Sequence, residues 1–122
     1  MPYQYQVVLE RGIVRVAIEG AGPVEQFIAA IRSIGAESVR WASQFLLVDL
    51  RGVDTEFPFT DQLLIGQAVG VNLRHLHRHA AVVRPERITR VGEKAAQHEG
   101  ATVRVFAEEE AARRWLLGAD QG

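Results

Sequence analysis

The sequence predicts an α/β domain with a mixed, mostly parallel sheet that begins with a β-hairpin, in the element order ββαβαβαβα. Three observations predict this fold. Apolar residues alternate with polar ones near the amino terminus, later strand-like runs are separated by segments of helical spacing, and Gly or Pro marks most boundaries. Strands that are separated by helical crossovers lie parallel, with helices on the faces of the sheet.

The first two strands are expected to pair as a hairpin. Tyr5, Val7 and Leu9 alternate with polar neighbours, and residues 13–18 repeat that alternation. Arg11-Gly12 lies between the two runs, and glycine supplies the positive φ that a tight turn requires.

The first helix is expected to begin at Pro23, because proline suits the first turn of a helix, where its missing N–H has no partner. Four apolar residues follow at helical spacing, namely Phe27, Ile28, Ile31 and Ile34. Gly35 predicts a bend or a break in this helix. The next run, Phe45–Leu50, is nearly all apolar, which is typical of an interior strand that is covered on both faces.

The second helix is expected after a loop over residues 51–59. The hydroxyl of Thr60 can cap its first turn, and Asp61 suits the positive end of the helix dipole. The residues expected on its inward face are Leu64, Ala68, Val71 and His75. Gly66 and Gly70 lie one turn apart, so a neighbour can approach closely, either the sheet of the same chain or a second copy in a homodimer.

The carboxyl-terminal part is expected to contain two more strands and two more helices. A strand over His79–Arg84 precedes a helix that begins at Pro85 and stops at Gly100. A strand over Thr102–Phe106 and a helix over Glu108–Leu117 complete a single domain of residues 1–122.

The composition is that of one ordinary cytoplasmic domain. The chain has 122 residues, of which 48% are hydrophobic and 24% are charged. No apolar run approaches the ~20 residues that cross a bilayer. A formal net charge of -1 offers no general attraction for nucleic acid, and zero cysteines exclude disulfides and thiolate chemistry.

Two segments resemble a known family. VDLRGV (48–53) is similar to the DLSGV segment of STAS domains, the bacterial anti-sigma-factor antagonists and their relatives. VFAEEEAARRWL (105–116) resembles the ending of the small stand-alone branch called SpoIIAA-like, and the element order agrees over nearly the whole chain. The resemblance implies a SpoIIAA-like sandwich and a non-catalytic regulatory module that binds a protein partner.

The same resemblance implies a phosphorylatable serine near the start of the helix after the DLSGV strand. No serine lies there in this sequence, and Thr55 and Thr60 are the hydroxyls available for modification. The branch also resembles CRAL-TRIO lipid-transfer domains. That likeness implies an alternative function, the carriage of a small apolar or lipid-like ligand beneath Phe57, Phe59 and the Leu63–Val71 helix.

The candidate binding site lies at the carboxyl ends of the strands, where open α/β sheets bind their ligands. Its predicted residues are Arg51, Asp54, Thr55, Phe57, Phe59, Thr60 and Arg84. Arg51 and Arg84 could together bind an anion, although solvated arginines are the more ordinary interpretation. Phe57 and Phe59 either form an exposed binding patch or fold back over the edge of the sheet.

Two other groups of residues are weaker candidates. Acids in and around the loop could serve catalysis or bind a cation, but solubility and capping are the more ordinary explanation. Asp49 is expected to accept backbone N–H groups of its own turn. His75, His77 and His79 could bind a metal ion, although they span a helix end and a strand start. No glycine-rich phosphate loop or nucleophile elbow is present, so we expect neither a cofactor nor an enzyme.

Overall fold

Five strands form one mixed sheet in the order β1-β2-β3-β4-β5. The structure is a computed structural model that describes residues 2–118. The strands are β1 (Gln4–Glu10), β2 (Ile13–Gly20), β3 (Phe45–Val53), β4 (Arg78–Val82) and β5 (Val103–Phe106). β1 pairs antiparallel with β2, and the remaining pairs are parallel. The predicted fold class is confirmed. The predicted domain bounds stay a prediction, since Met1 and residues 119–122 lie outside the described residues.

Within the described residues, four α-helices cover the two faces of the sheet. They are α1 (Val24–Ser38), α2 (Phe59–Leu73), α3 (Val91–His98) and α4 (Glu109–Leu116). We call the face under α1, α2 and α3 the front face; its strand residues include Val14, Val16, Leu46, Val48, His79 and Ala81. The back face lies under α4 and carries the alternate residues, among them Ile13, Arg15, Leu47, Asp49, Ala80 and Val82.

The hairpin and the interior strand form as the sequence predicts. Arg11 and Gly12 both have positive φ, 54° and 79°, as a two-residue turn of type I′ requires. β3 lies between β2 and β4, and Leu46 and Leu47, which face opposite layers, are both 0% exposed. Between residues 2 and 118, no helix has both the length and the apolar composition needed to cross a membrane.

α1 passes through Gly35 without the predicted break and ends at Ser38. Glycine is needed at this position for close packing. A Cβ there would lie 2.8 Å from the carbonyl oxygen of Asn72 on α2, closer than such atoms approach in real structures. Gly35 therefore sets the distance between α1 and α2.

The predicted inward face of α2 is largely wrong. Leu64 and Val71 are 47% and 55% exposed, whereas Gly66 and Gly70 are buried. A Cβ on Gly66 would lie 2.5 Å from the carbonyl oxygen of Gly92, so the two glycines let α2 contact α3 of the same chain. The prediction assumed that the larger side chains of α2 face inward, but the helix pair requires the smallest ones.

The helix predicted to begin at Pro85 is interrupted. Residues Pro85–Arg87 form one turn of 3₁₀ helix, and α3 begins only at Val91. Arg90 has a φ of 63°, which redirects the chain between the two segments. The interruption places the 3₁₀ turn beside the loop that follows β3. Arg84, directly before this turn, and Arg87, its last residue, therefore lie within reach of that loop. The predicted stop at Gly100 is confirmed, with a φ of 102°.

Candidate functional site

The loop of residues 54–58 connects β3 to α2 at the carboxyl edge of the sheet. Its first residue continues the strand pairing, since the N–H of Asp54 donates to the carbonyl oxygen of Gly20 (2.8 Å). β3 itself runs to Val53, so Arg51 lies within the strand and not in the loop. α2 then begins at Phe59, and Pro58 precedes it. Thr60 is the second residue of that helix and does not cap it, contrary to the prediction.

Side chains of the loop alternate between inward and outward positions. Thr55 is half-buried, and its Oγ1 accepts hydrogen bonds from the Tyr3 hydroxyl (2.8 Å) and the Gly22 N–H (3.1 Å). Thr60, by contrast, is exposed on the first turn of α2. Of the two threonines predicted as modification sites, Thr55 already uses its hydroxyl within the chain.

Phe57 and Phe59 have different environments. Phe57 points inward and packs against Phe27, with 5.3 Å between the ring centroids. Phe27 in turn contacts Tyr3 edge to face at 5.2 Å. Phe59 is 61% exposed. Each of the two predicted alternatives therefore describes one ring: Phe57 closes the edge of the core, and Phe59 is presented to the outside.

Two arginines after β4 hold the loop in place. Arg84 donates to the carbonyl oxygen of Arg51 (2.9 Å) and to Asp54 Oδ1 (3.0 Å). Arg87 donates to the carbonyl oxygens of Val53 and of Thr55 (3.3 Å). Arg87 was not among the predicted site residues, although its place three residues after Arg84 was a usable signal. Each of these bonds restricts the conformations of the loop, so the loop is ordered before any partner binds.

Arg51 does not join Arg84 in an anion site. Its guanidinium lies on the back face, where it donates to Asp49 Oδ1 (2.9 Å) and Glu109 Oε1 (2.9 Å). Arg15 donates to the same two carboxylates, at 2.7 Å and 3.0 Å. We call Arg15, Arg51, Asp49, Glu109 and Arg113 the back-face ion network.

Asp49 is held as an ionised structural group. Burial raises the pKa of its carboxyl, but hydrogen bonds and charge from Arg51, together with Arg15, outweigh burial and hold that pKa below its usual value. Asp49 Oδ1 also accepts the backbone N–H of Arg51 (3.0 Å), which matches the structural role expected for it. Its lone pairs are thus directed to groups of the chain itself.

The three clustered histidines point to different parts of the molecule. His75 is exposed, and its Nε2 lies 2.7 Å from Ser38 Oγ. His77 packs edge to face on Phe45, with centroids 5.3 Å apart. His79 is 4% exposed on the front face of β4. Within residues 2–118, the structure brings together no group of three His, Cys, Asp or Glu side chains that could hold a metal ion.

A cavity of about 260 Å³ lies between the front face and the helices that cover it. Apolar side chains form most of its wall, among them Ile18, Phe27, Ile34, Val48, Ile65 and Val69. Phe57 borders it as predicted for a pocket beneath α2, but Phe59 does not. The alternative carrier function placed its ligand beneath the loop and α2, and the cavity extends further than that, along β4 and towards α3.

The two ends of this cavity differ in polarity. Residues of the loop and of the turn after β4 border the end at the carboxyl edge of the sheet, including Thr55, Glu56, Arg87, Thr89 and Arg90. The opposite end contains His79, the second residue of β4. The cavity therefore has a charged rim, an apolar middle and one buried imidazole.

Comparison with known proteins places the chain in a family. The SpoIIAA-like family model matches residues 13–117, which is most of the sequence. The chain belongs to the SpoIIAA-like family. No curated protein sequence matches it.

A solved structure has the same fold as this SpoIIAA-like chain. It is the crystal structure of an anti-sigma factor antagonist from Mycobacterium paratuberculosis, with a TM-score of 0.63 and 17% sequence identity. The match covers 94% of this chain and 94% of that chain. At this identity the match shows the fold alone. The resemblance found in VDLRGV and VFAEEEAARRWL is thereby confirmed for family and architecture.

Proposed function

We propose that this SpoIIAA-like chain is a non-catalytic regulatory module that binds a protein partner through its loop surface. We define the loop surface as the exposed side chains of Asp54, Glu56, Pro58, Phe59 and Thr60. The observation that supports this function is Phe59, an aromatic ring that is 61% exposed at the start of α2, directly after the loop that Arg84 and Arg87 hold in place. Aromatic residues often dominate binding energy at protein interfaces, and an ordered loop loses little conformational entropy on association.

The absence of a catalytic role is supported by the positions of the acids. Asp49 is in the back-face ion network, and Asp54 pairs with Arg84 at 3.0 Å. A general acid or base needs a carboxyl that faces a substrate site, and neither Asp49 nor Asp54 lines the cavity. Position speaks against a catalytic role only for these two aspartates, since three glutamates do line the cavity, namely Glu56, Glu86 and Glu93. The fold of the crystallised anti-sigma factor antagonist agrees with a regulatory role.

Photo-crosslinking from position 59 tests the regulatory function. We replace Phe59 with a photoreactive phenylalanine in cells that express the protein, and we place the same group at Val8 as a control. Val8 is 50% exposed on the edge strand β1, which β2 separates from β3 and its loop. A partner that binds the loop surface should be captured from position 59 and not from position 8.

The captured partner then allows a quantitative measurement. Phe59→Ala should weaken its binding by about tenfold or more, as expected for a dominant interface residue, while Val8→Ala should leave the dissociation constant unchanged. Equal crosslinking from both positions, or an unchanged dissociation constant for Phe59→Ala, would remove the loop surface as the interface.

We assign any regulatory modification of this surface to Thr60. Its side chain is exposed at the first turn of α2, where backbone N–H groups and the helix dipole favour a phosphate group. Phosphate on Thr55 would instead break its contacts with Tyr3 and Gly22. Thr60→Glu should change partner affinity without lowering the melting temperature; an affinity equal to that of the wild type would contradict this assignment.

A second function, the carriage of a small apolar ligand, is supported by the front-face cavity. Its volume of about 260 Å³ is just below the ~300–1,000 Å³ usual for ligand pockets. Native mass spectrometry of the freshly purified protein tests this function. A bound small molecule that Ala81→Leu displaces would support it, because Ala81 lines the cavity and the larger side chain of leucine would occupy part of it.

A further inference from the structure

The unusual feature of the cavity is the imidazole at its inner end. Among residues 2–118, Ser38 and His79 are the only buried polar residues. Ser38 is fully paired, since its Oγ donates to the carbonyl oxygen of Gly35 (2.6 Å) and contacts His75. His79 Nδ1 has no hydrogen-bond partner within that part of the chain. A buried polar atom without a partner costs about 1–3 kcal/mol, so a group that pairs with it stabilises the protein.

The imidazole is neutral in this site. Burial lowers the pKa of His79 to about 4, so the ring carries no charge at neutral pH. A neutral imidazole donates a hydrogen bond from one ring nitrogen and accepts one at the other. It therefore suits a neutral polar group, such as a hydroxyl, better than an ionised one, whose desolvation at the buried end would be costly.

The dimensions of the cavity limit the size of a ligand. His79 and Val83 both line it and are four residues apart on one extended segment, so the cavity runs about 13 Å along β4. An apolar cavity of ~150 Å³ accommodates benzene. By proportion, about 260 Å³ accommodates a molecule of about ten non-hydrogen atoms, and a long-chain lipid would leave most of its chain outside.

We propose that the front-face cavity binds a compact amphiphile of about ten non-hydrogen atoms, whose one neutral polar group forms a hydrogen bond with the imidazole of His79. The apolar body of this ligand contacts Val48, Ile65 and Val69. The inference deepens the carrier function and rests on it. It is independent of partner binding at the loop surface.

Two probe molecules of equal size test the inference. The probes are 4-propylphenol and 4-propyltoluene, which have ten non-hydrogen atoms each and differ only by a hydroxyl in place of a methyl group. Their dissociation constants are measured by calorimetry with the wild type and with His79→Leu. The preference for the phenol should be about three- to tenfold greater in the wild type than in His79→Leu, which is the value of one net hydrogen bond.

A measurement on the wild type alone guards against misfolding of the variant. In ¹⁵N spectra, the ring nitrogens of His79 should shift on addition of 4-propylphenol and stay in place with 4-propyltoluene. Those of His98, which is exposed and does not line the cavity, should not respond to either probe. Ala81→Leu should weaken binding of both probes, because the leucine side chain occupies part of the space that a ten-atom molecule needs.

The outcomes separate the inference from the carrier function. If both probes bind with the same relative affinity in both proteins and the His79 resonances do not move, His79 does not recognise the ligand and the inference is wrong, while the carrier function stands. If neither probe binds to the folded wild type, both are wrong. Loss of partner binding in Phe59→Ala tests the regulatory function alone, and it changes neither the inference about His79 nor the carrier function.

Discussion

The front and back faces of the sheet are built from alternate residues of the same strands, yet they are packed in opposite ways. On β4, Ala80 is 0% exposed beneath α4, whereas its neighbour Ala81 lines the front-face cavity. The back face is filled by large side chains such as Leu47 and Trp115. Beneath α4 the back face is closely packed and supports the fold, whereas the front face contains the apolar cavity.

Charge follows the same division. Along β3, Val48 and Leu50 line the cavity, while Asp49 and Arg51 lie in the back-face ion network. Successive strand residues face opposite sides, so the segment VDLR directs its apolar and charged residues to different layers. The two charged side chains of β3 itself therefore do not line the cavity, whose charged rim comes from the loop and from the turn after β4. The comparison teaches that charge in a strand adjoining a pocket need not contribute to that pocket.

Truncation of one leucine on each face to alanine should give the largest difference in the free energy of unfolding. Leu47→Ala should lower the free energy of unfolding by about 3–5 kcal/mol, because it leaves a hole in a closely packed layer. Leu50→Ala should cost about 1–2 kcal/mol, since its side chain is half-buried and already borders the cavity. Urea unfolding of both variants gives the comparison. Equal losses would mean that the cavity is closed in solution.

Acid should lower the stability of the protein through His79 on the front face. The pKa of His79 is about 4 in the folded chain because of burial, and about 6.5 is the usual value. The unfolded chain therefore binds this proton more readily, and stability that is complete above pH 6.5 is lost as the pH falls from 6.5 to 4. We expect a loss of about 2–3 kcal/mol over this range, measured by urea unfolding.

His79→Leu should remove that loss, whereas His77→Gln, a change at an exposed histidine, should keep it. A stability of His79→Leu that falls as steeply as that of the wild type would place the responsible group elsewhere. Because a ligand that hydrogen-bonds His79 favours the neutral ring, 4-propylphenol should also make the wild type more resistant to acid.

A larger side chain should destabilise the protein on the back face and should be tolerated on the front face. Ala80→Leu forces a larger side chain under α4 and should cost about 1–3 kcal/mol. Ala81→Leu adds the same atoms one residue later, where the cavity can accept them, and should change stability by less than about 0.5 kcal/mol. Thermal melting of the two variants is sufficient. Equal destabilisation would show that the front face has no room for a side chain or a ligand.

The sequence predicted the parts of the fold that depend on local pattern. The hairpin turn follows from Arg11-Gly12, and the interior position of β3 follows from its apolar run. The inward face of α2 could not be predicted in this way, because it depends on contact with α3 through Gly66. A glycine that admits a neighbouring helix and a glycine that merely weakens a helix look the same until the neighbour is known.

The candidate site was predicted in place but not in orientation. The loop after β3 does lie beside Arg84, but Phe57 turns inward because Phe27, thirty residues earlier in the chain, receives it. His79 was considered only as a metal ligand. Its burial had a sequence signal, since it shares the alternation of Ala81 and Val83 on the same strand. The missing partner of its Nδ1 is visible only in three dimensions.

Loss of the central carboxylate of the back-face ion network should have the smallest effect. Hydrogen bonds from Arg15, helped by Arg113 and opposed by burial, lower the pKa of Glu109 to about 2 from its ordinary 4.5. Its contribution is complete above pH 4.5 and is lost as the pH falls from 4.5 towards 2. Glu109→Gln should therefore lower the free energy of unfolding by about 1 kcal/mol at pH 7, a figure reduced for solvent screening of a partly exposed group.

That difference between wild type and Glu109→Gln should shrink to a small fraction of its value near pH 2, where about half of the folded wild-type carboxyls are protonated. Glu110→Gln, at the exposed neighbouring position, should change stability by no more than about 0.3 kcal/mol at either pH. Urea unfolding at pH 7 and pH 2.5 measures both variants. A difference that does not depend on pH would mean that Glu109 acts through packing and not through its charge. Of the two groups, only His79 on the front face would then account for a loss of stability in acid.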